Sequence, residues 1–264
     1  MSDFLLRTRN CEIKYEHYFP NELVDEVQIN TEDQQLISAW FISKDTSKAV
    51  ILAPGKGQNR LAMINKARYY LKRNYSVLMP DLRATGNSEG EYNSLGYYER
   101  FDIEACYDFL RKKNFKIIGA QGHSLGAAAI VYTTLEKYNF DFLILESCYD
   151  NMQHAFENRV HLFYMPAFLF KPVCWFGEAK IDIGLDKLNP QQLVKNIKTP
   201  VLFLYGDSEW QIPIEESEAL YNACGSTNKM KHVFTHGAHE DFSIRYKKEY
   251  EQTLDSFLEK YAID

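Results

Sequence analysis

The chain has 264 residues, 45% of them hydrophobic and 25% charged, the proportions of an ordinary globular protein rather than a disordered or fibrous one. A net charge of −6 with no basic stripe argues against a nucleic-acid partner, and no apolar run is long enough for stable insertion across a bilayer. The five cysteines are odd in number and form no C-x-x-C pair, and no basic segment leads into an apolar core at the N-terminus. The expectation is therefore free thiols in a reducing compartment, the cytoplasm, with no signal peptide.

Taken in order, residues 1–20 carry no clear pattern. Val24–Ile29 and Leu36–Ile42 are strand-like, and the polar Thr31–Gln34 between them suits a hairpin turn. Lys48–Ala53 is a compact apolar run of the kind buried in a parallel sheet. Pro54-Gly-Lys-Gly57 follows it, then a helix over 60–73 and a strand over Tyr75–Pro80. The glycine-punctuated loop Asp81–Gly90 carries acids and Arg83, which are expected to pair within the loop and prop the site. Helical spacing runs over 95–113, and another buried strand over Asp141–Glu146.

Residues 147–190 break this rhythm and are dense in aromatics from Phe156 to Phe176. They are expected to form a short cap or lid that shapes an acyl pocket, unless they are plain core; Leu162–Phe170 is too short to span a membrane. Rhythm returns with a helix over Pro190–Ile197, a strand over Pro200–Tyr205, a helix over 214–224, a strand over Met230–Phe234 and a closing helix over 243–262. Strands alternating with helices imply one α/β domain over 1–264: a mostly parallel sheet with helices on both faces.

The chemistry is concentrated at Gly122-His-Ser-Leu-Gly126, which lies between the apolar run Phe115–Ala120 and the alanine-rich run Ala127–Thr134. A chain that turns from strand to helix in so few residues crowds both flanks, so both flanks are glycine. Ser124, held at the corner with its hydroxyl exposed, is the candidate nucleophile, and the helix after it presents amides to a developing oxyanion. The backbone N–H of Lys56 is the candidate second donor. A serine needs a base. His239, in the polar loop past the last strand, is best placed, with His236 its competitor; His123 adjoins the serine but is expected to aim away. No ligand spacing supports a metal among His232, His236, His239 and Glu240. The acid that would orient the base is Glu209 or Asp207, both after the strand ending at Tyr205.

With Pro54-Gly-Lys-Gly57, Asp81–Gly90, Gly122–Gly126, Gly206–Pro213 and Gly237-Ala-His239 in this order, the chain resembles the α/β-hydrolase superfamily. The likeness is to its serine esterase, lipase and aminopeptidase-like members with a small cap, and covers about Val50 to Phe257. It implies the α/β-hydrolase fold, Ser124 as nucleophile, His239 as base, and the amides of Lys56 and Leu125 as an oxyanion hole. The usual His-Gly of the first motif is replaced by Pro54-Gly55. The family's acid stands four residues before the loop proline, which is Glu209 here, with Asp207 in reserve. The resemblance implies a carboxylesterase-like serine hydrolase acting on a small-molecule acyl ester, with no cofactor and no metal. A thioesterase or small-peptide hydrolase would use the same groups, and a non-catalytic binding protein on the same scaffold is the rival from another class.

Overall fold

Runs of β-branched and aromatic side chains form a sheet of eight strands. They are β1 (Val24–Asn30), β2 (Leu36–Ile42), β3 (Lys48–Ala53), β4 (Ser76–Pro80), β5 (Ile117–His123), β6 (Phe142–Glu146), β7 (Val201–Gly206) and β8 (Lys229–Phe234). The computed structural model describes residues 17–44, 46–133, 137–154 and 182–261. Most of the 147–190 segment expected as a cap, including Leu162–Phe170, therefore lies outside the described residues, as do Cys11 and Cys174.

The strand order is β1-β2-β4-β3-β5-β6-β7-β8, with β1–β2 and β2–β4 antiparallel and every other pair parallel. The mostly parallel sheet expected from the sequence is thus present, and its order reverses direction at β3. The chain leaves β3 for β4 on one side and then crosses back from β4 to β5 on the other side of β3, and a crevice opens at such a switch point outside the carboxyl ends of the strands. Ala53 pairs with Gly122, so the chain leaving β3 emerges beside the chain leaving β5.

Side chains of the central strands alternate between two cores, one on each face. Ala49, Ile51 and Ala53 of β3 join one, and Val50 and Leu52 join the other. The first core is closed by the helices α2 (Glu99–Lys112) and α3 (Leu125–Tyr132), through Ile103, Cys106, Leu110 and the alanines 127–129. The second is closed by α1 (Ile64–Lys72) and, near the C-terminus, by α7 (Lys247–Lys260), through Ala67, Tyr70, Leu254 and Phe257. Each large apolar side chain taken fully out of water stabilises by ~1.5–3 kcal/mol. An exposed ion pair contributes under ~1 kcal/mol. The two cores, not the surface charges, hold the architecture.

Four elements depart from the sequence reading, each for a local reason. The helix over 60–73 opens as a 3-10 turn, Arg60–Met63, because the Asn59 side chain accepts from the Leu61 amide and tightens the start. The helix expected from residue 95 begins at Glu99. Its carboxylate reaches back to the amides of Ser94 and Gly96 and stabilises a turn in which Leu95 and Gly96 have φ of 59° and 105°. The Pro190–Ile197 helix is α (Pro190–Leu193, α4) then 3-10 (Val194–Asn196). The closing helix is divided at Tyr246 into α6 (Phe242–Arg245) and α7, with α5 (Ile214–Ala223) preceding both.

The Asp81–Gly90 loop is also corrected. Its charges do not pair with each other. Asp81 takes the buried Arg60 guanidinium at 2.7 Å, and Arg83 bridges Asp33 of the first hairpin and Asp102 of α2 at 2.6 and 2.8 Å. The loop is thereby tied to three neighbouring segments. None of its residues lines the cleft beside Ser124.

Candidate active site

The turn from β5 into α3 is as tight as its sequence requires. Ser124 has φ 51° and ψ −112°, a conformation that costs an ordinary residue ~1–3 kcal/mol. A Cβ on Gly122 would lie 2.4 Å from the Gly126 carbonyl carbon, and one on Gly126 would lie 2.4 Å from the Ala53 carbonyl oxygen. Glycine is required at both flanks because α3 and the end of β3 pack directly on them. The Ser124 amide donates to the Glu146 carbonyl at 2.8 Å, fixing the corner against β6.

Ser124 opens onto a cleft of about 370 Å³, which also carries Gly55, Lys56, His123, His239 and Glu240 on its walls. Lys56 is there because β3 ends beside β5. Gly55 makes a close turn, with its amide donating to the Gln58 side chain at 3.0 Å. Lys56 lines the same cleft as Ser124, and Leu125 follows Ser124 as the first residue of α3 and is buried.

The imidazole and the acid meet across the same rim. His239 Nδ1 lies 2.9 Å from Glu209 Oε2. The other oxygen of Glu209 accepts from the Gly206 amide at 2.8 Å and the Ser147 hydroxyl at 2.7 Å, so the carboxylate has little freedom to turn. Two glycines allow this meeting. A Cβ on Gly206 would stand 2.1 Å from the Gly237 carbonyl oxygen, so the loops after β7 and β8 can approach only without side chains there.

Asp207 is elsewhere. Its Oδ1 accepts from the His236 amide at 2.7 Å and from the Ser208 hydroxyl at 2.9 Å, and it pins the exposed His236 in a turn with φ 58°. Of the two candidate acids, Glu209 is the one that reaches the imidazole; of the two candidate histidines, His239 is the one on the cleft. His232 contacts Glu249 on the outer surface at 2.8 Å.

His123 is a correction. It does not aim away but lines the cleft, its ring centroid 5.0 Å from that of His239. The cause is the space left by Gly55, where a Cβ would stand 2.8 Å from His123 Nδ1. Burial, with nearby Lys66 and His239 adding to it, lowers its pKa from 6.5 to about 3. The folded protein thus excludes a proton that the unfolded chain binds below about pH 6.5. This contribution to stability is intact above that pH and is lost as pH falls toward 3, at up to ~1.4 kcal/mol per unit. Denaturant titrations of His123→Asn are expected to show a shallower acid-side loss than wild type between about pH 6 and about pH 4. Parallel slopes in the two proteins would contradict the assignment.

Sequence reasoning misses Ser147 and Lys66. Ser147, at the end of β6, bonds a residue 62 positions away, and nothing in its neighbours signals that.

Among solved structures, the esterase Pf2001 of Pyrococcus furiosus superposes with a TM-score of 0.81 at 23% identity, over 97% of this chain and 98% of that one. This chain has the α/β-hydrolase fold. An esterase of Exiguobacterium antarcticum shares the hydrolase fold at a TM-score of 0.66 and 16% identity, over 89% of this chain and 100% of that one. In sequence, the chain is 28% identical to the α/β hydrolase domain-containing protein WAV2 of Arabidopsis thaliana, over 92% of this chain and 80% of WAV2. It is 26% identical to the uncharacterized protein YqkD of Bacillus subtilis, over 81% of this chain and 72% of YqkD. No protein-family model matches it.

Proposed function

We propose that the chain is a serine hydrolase that cleaves carboxylic esters through an acyl-enzyme on Ser124. The observation that carries this is the 2.9 Å contact between His239 Nδ1 and a Glu209 carboxylate already fixed by two donors, on the cleft that holds the strained Ser124. In that contact Nδ1 bears the proton and donates, which leaves Nε2 as the acceptor that takes the serine proton. Ser124 Oγ then attacks the ester carbonyl. The amides of Lys56 and Leu125 stabilise the oxyanion, and imidazolium returns its proton to the leaving alkoxide. Water, deprotonated by the same imidazole, clears the acyl group.

The named esterases of the same fold are consistent with this chemistry and favour an ester over an amide. The described cleft walls mix apolar Leu61, Met63 and Ile244 with polar Gln58 and Asn65. The acyl pocket inferred from the aromatic segment lies outside the described residues. Among the described residues no helix is long and apolar enough to cross a membrane. Among the described residues Cys106, Cys148 and Cys224 are free and buried, and we place the protein in the cytoplasm on their account.

A fluorophosphonate probe is expected to modify the native protein once, at Ser124, as read by peptide mass spectrometry. A folded protein that never takes the label there would remove the proposal. Side-by-side rates on acyl esters, thioesters and aminoacyl amides would then rank the substrate classes.

A further inference from the structure

In the wall of the cleft lies an ion cluster, formed by Lys66, Asp241 and Glu146, that the proposed chemistry does not use. Lys66 of α1 is 1% exposed, and its Nζ lies 2.7 Å from Asp241 Oδ1 and 3.3 Å from Glu146 Oε2. The two carboxylates belong to different halves of the site. Asp241 lies two residues beyond His239, at the start of α6, where the same oxygen accepts from the amide and hydroxyl of Ser243. Glu146 ends β6; its carbonyl receives the Ser124 amide, and its carboxylate is shared with Gln121 of β5 and Tyr250 of α7. Ser147, the next residue, holds Glu209. One ammonium therefore joins the segment that carries the imidazole to the strand end that supports both serine and acid.

Stability alone does not account for it, because well-packed apolar side chains in place of a buried ion pair are often neutral or stabilising. What the pair adds is a fixed distance. We propose that Lys66 is a positioning residue, whose ammonium, held between Glu146 and Asp241, sets His239 over Ser124. The inference rests on the serine-hydrolase reading for its consequence in rate, but not for its geometry. Burial opposes the charge on Lys66, yet the two carboxylates outweigh that and hold its pKa above the ordinary lysine value. The ammonium of this clamp is therefore charged at neutral pH and the Asp241 carboxylate is held ionised beside it, while burial pushes the Glu146 carboxyl up from its ordinary value.

The test is Asp241→Asn. Asparagine caps a helix as well as aspartate, so the Ser243 bonds survive while the charge on the histidine loop is removed. Misplacement of a reacting group by about 1 Å costs on the order of 10²-fold, so kcat on a short chromogenic ester, and the rate of fluorophosphonate labelling, should fall by about that factor. KM should stay within about twofold, because the lost interaction acts on the reacting groups rather than on ground-state binding. Lys66→Met should lose about as much, and the double variant little more than either alone. Lys66→Met risks unfolding by stranding Glu146, which is why Asp241→Asn carries the decision. A second readout needs no chemistry: the downfield proton resonance of His239 Nδ1–H should shift or broaden in Asp241→Asn. A folded Asp241→Asn protein with that resonance unmoved overturns the clamp, whether or not Ser124 reacts. A wild type that fails to label removes the hydrolase reading but leaves the resonance test standing.

Discussion

Replacing Ser124 with alanine is expected to abolish fluorophosphonate labelling and to lower kcat for ester hydrolysis by on the order of 10⁶-fold, about 8 kcal/mol of transition-state stabilisation. The factor is this large because the serine, base and acid act as a unit: without the hydroxyl, imidazole and carboxylate have nothing to activate. A residual rate over water of ~10³ is expected from the oxyanion donors and the cleft. The substitution is clean in structural terms. Alanine keeps a Cβ at φ 51°, so the strain at the corner is unchanged. The amide bond to the Glu146 carbonyl also remains. The variant should thus unfold within a few degrees of wild type, and Ser124→Gly should be more stable than either by ~1 kcal/mol or more, since glycine tolerates that conformation. Hydrolysis undiminished in Ser124→Ala would mean that the turnover is not the chain's own, and the non-catalytic binding role would take precedence.

Features whose causes lie close together in the chain are legible in the sequence. Lys48–Ala53 is a strand to the residue because a run buried on both faces has sharp polar limits. The elbow is visible because its steric demand falls on glycines two residues either side of Ser124. The facing pair Gly206 and Gly237 is a subtler case: each marks its own loop in the sequence, but only the fold shows that one exists for the other. The features that are not legible depend on long-range partners. Lys66 reads as a helical surface residue until Asp241, 175 positions on, closes over it. Arg83 reads as a loop charge until α2 brings Asp102 to it. The start of α2 at Glu99 and the placing of His123 on the cleft follow in the same way from a carboxylate reaching back and from the room above Gly55.

The choice between the two acids is where sequence and geometry make the sharpest joint prediction. Both follow β7, both are carboxylates, and the chain order serves either. Glu209→Gln is expected to cost ~10⁴ in kcat, about 5 kcal/mol, without disturbing the fold. The hydrogen bonds explain why so small a change matters. The Gly206 amide and the Ser147 hydroxyl both donate to one side-chain oxygen, so the amide oxygen of a glutamine must take that place. Its NH₂ then faces His239 Nδ1 and donates to it, and the imidazole is driven to the tautomer with its proton on Nε2, which cannot accept from Ser124. Asp207→Asn meets no such obstacle. Its oxygen still receives the His236 amide, and the loss should be confined to ~1 kcal/mol of stability with kcat within about threefold of wild type. A Glu209→Gln enzyme as fast as wild type, or an Asp207→Asn enzyme slowed by orders of magnitude, would reverse the assignment and require the loop after β7 to refold on substrate binding.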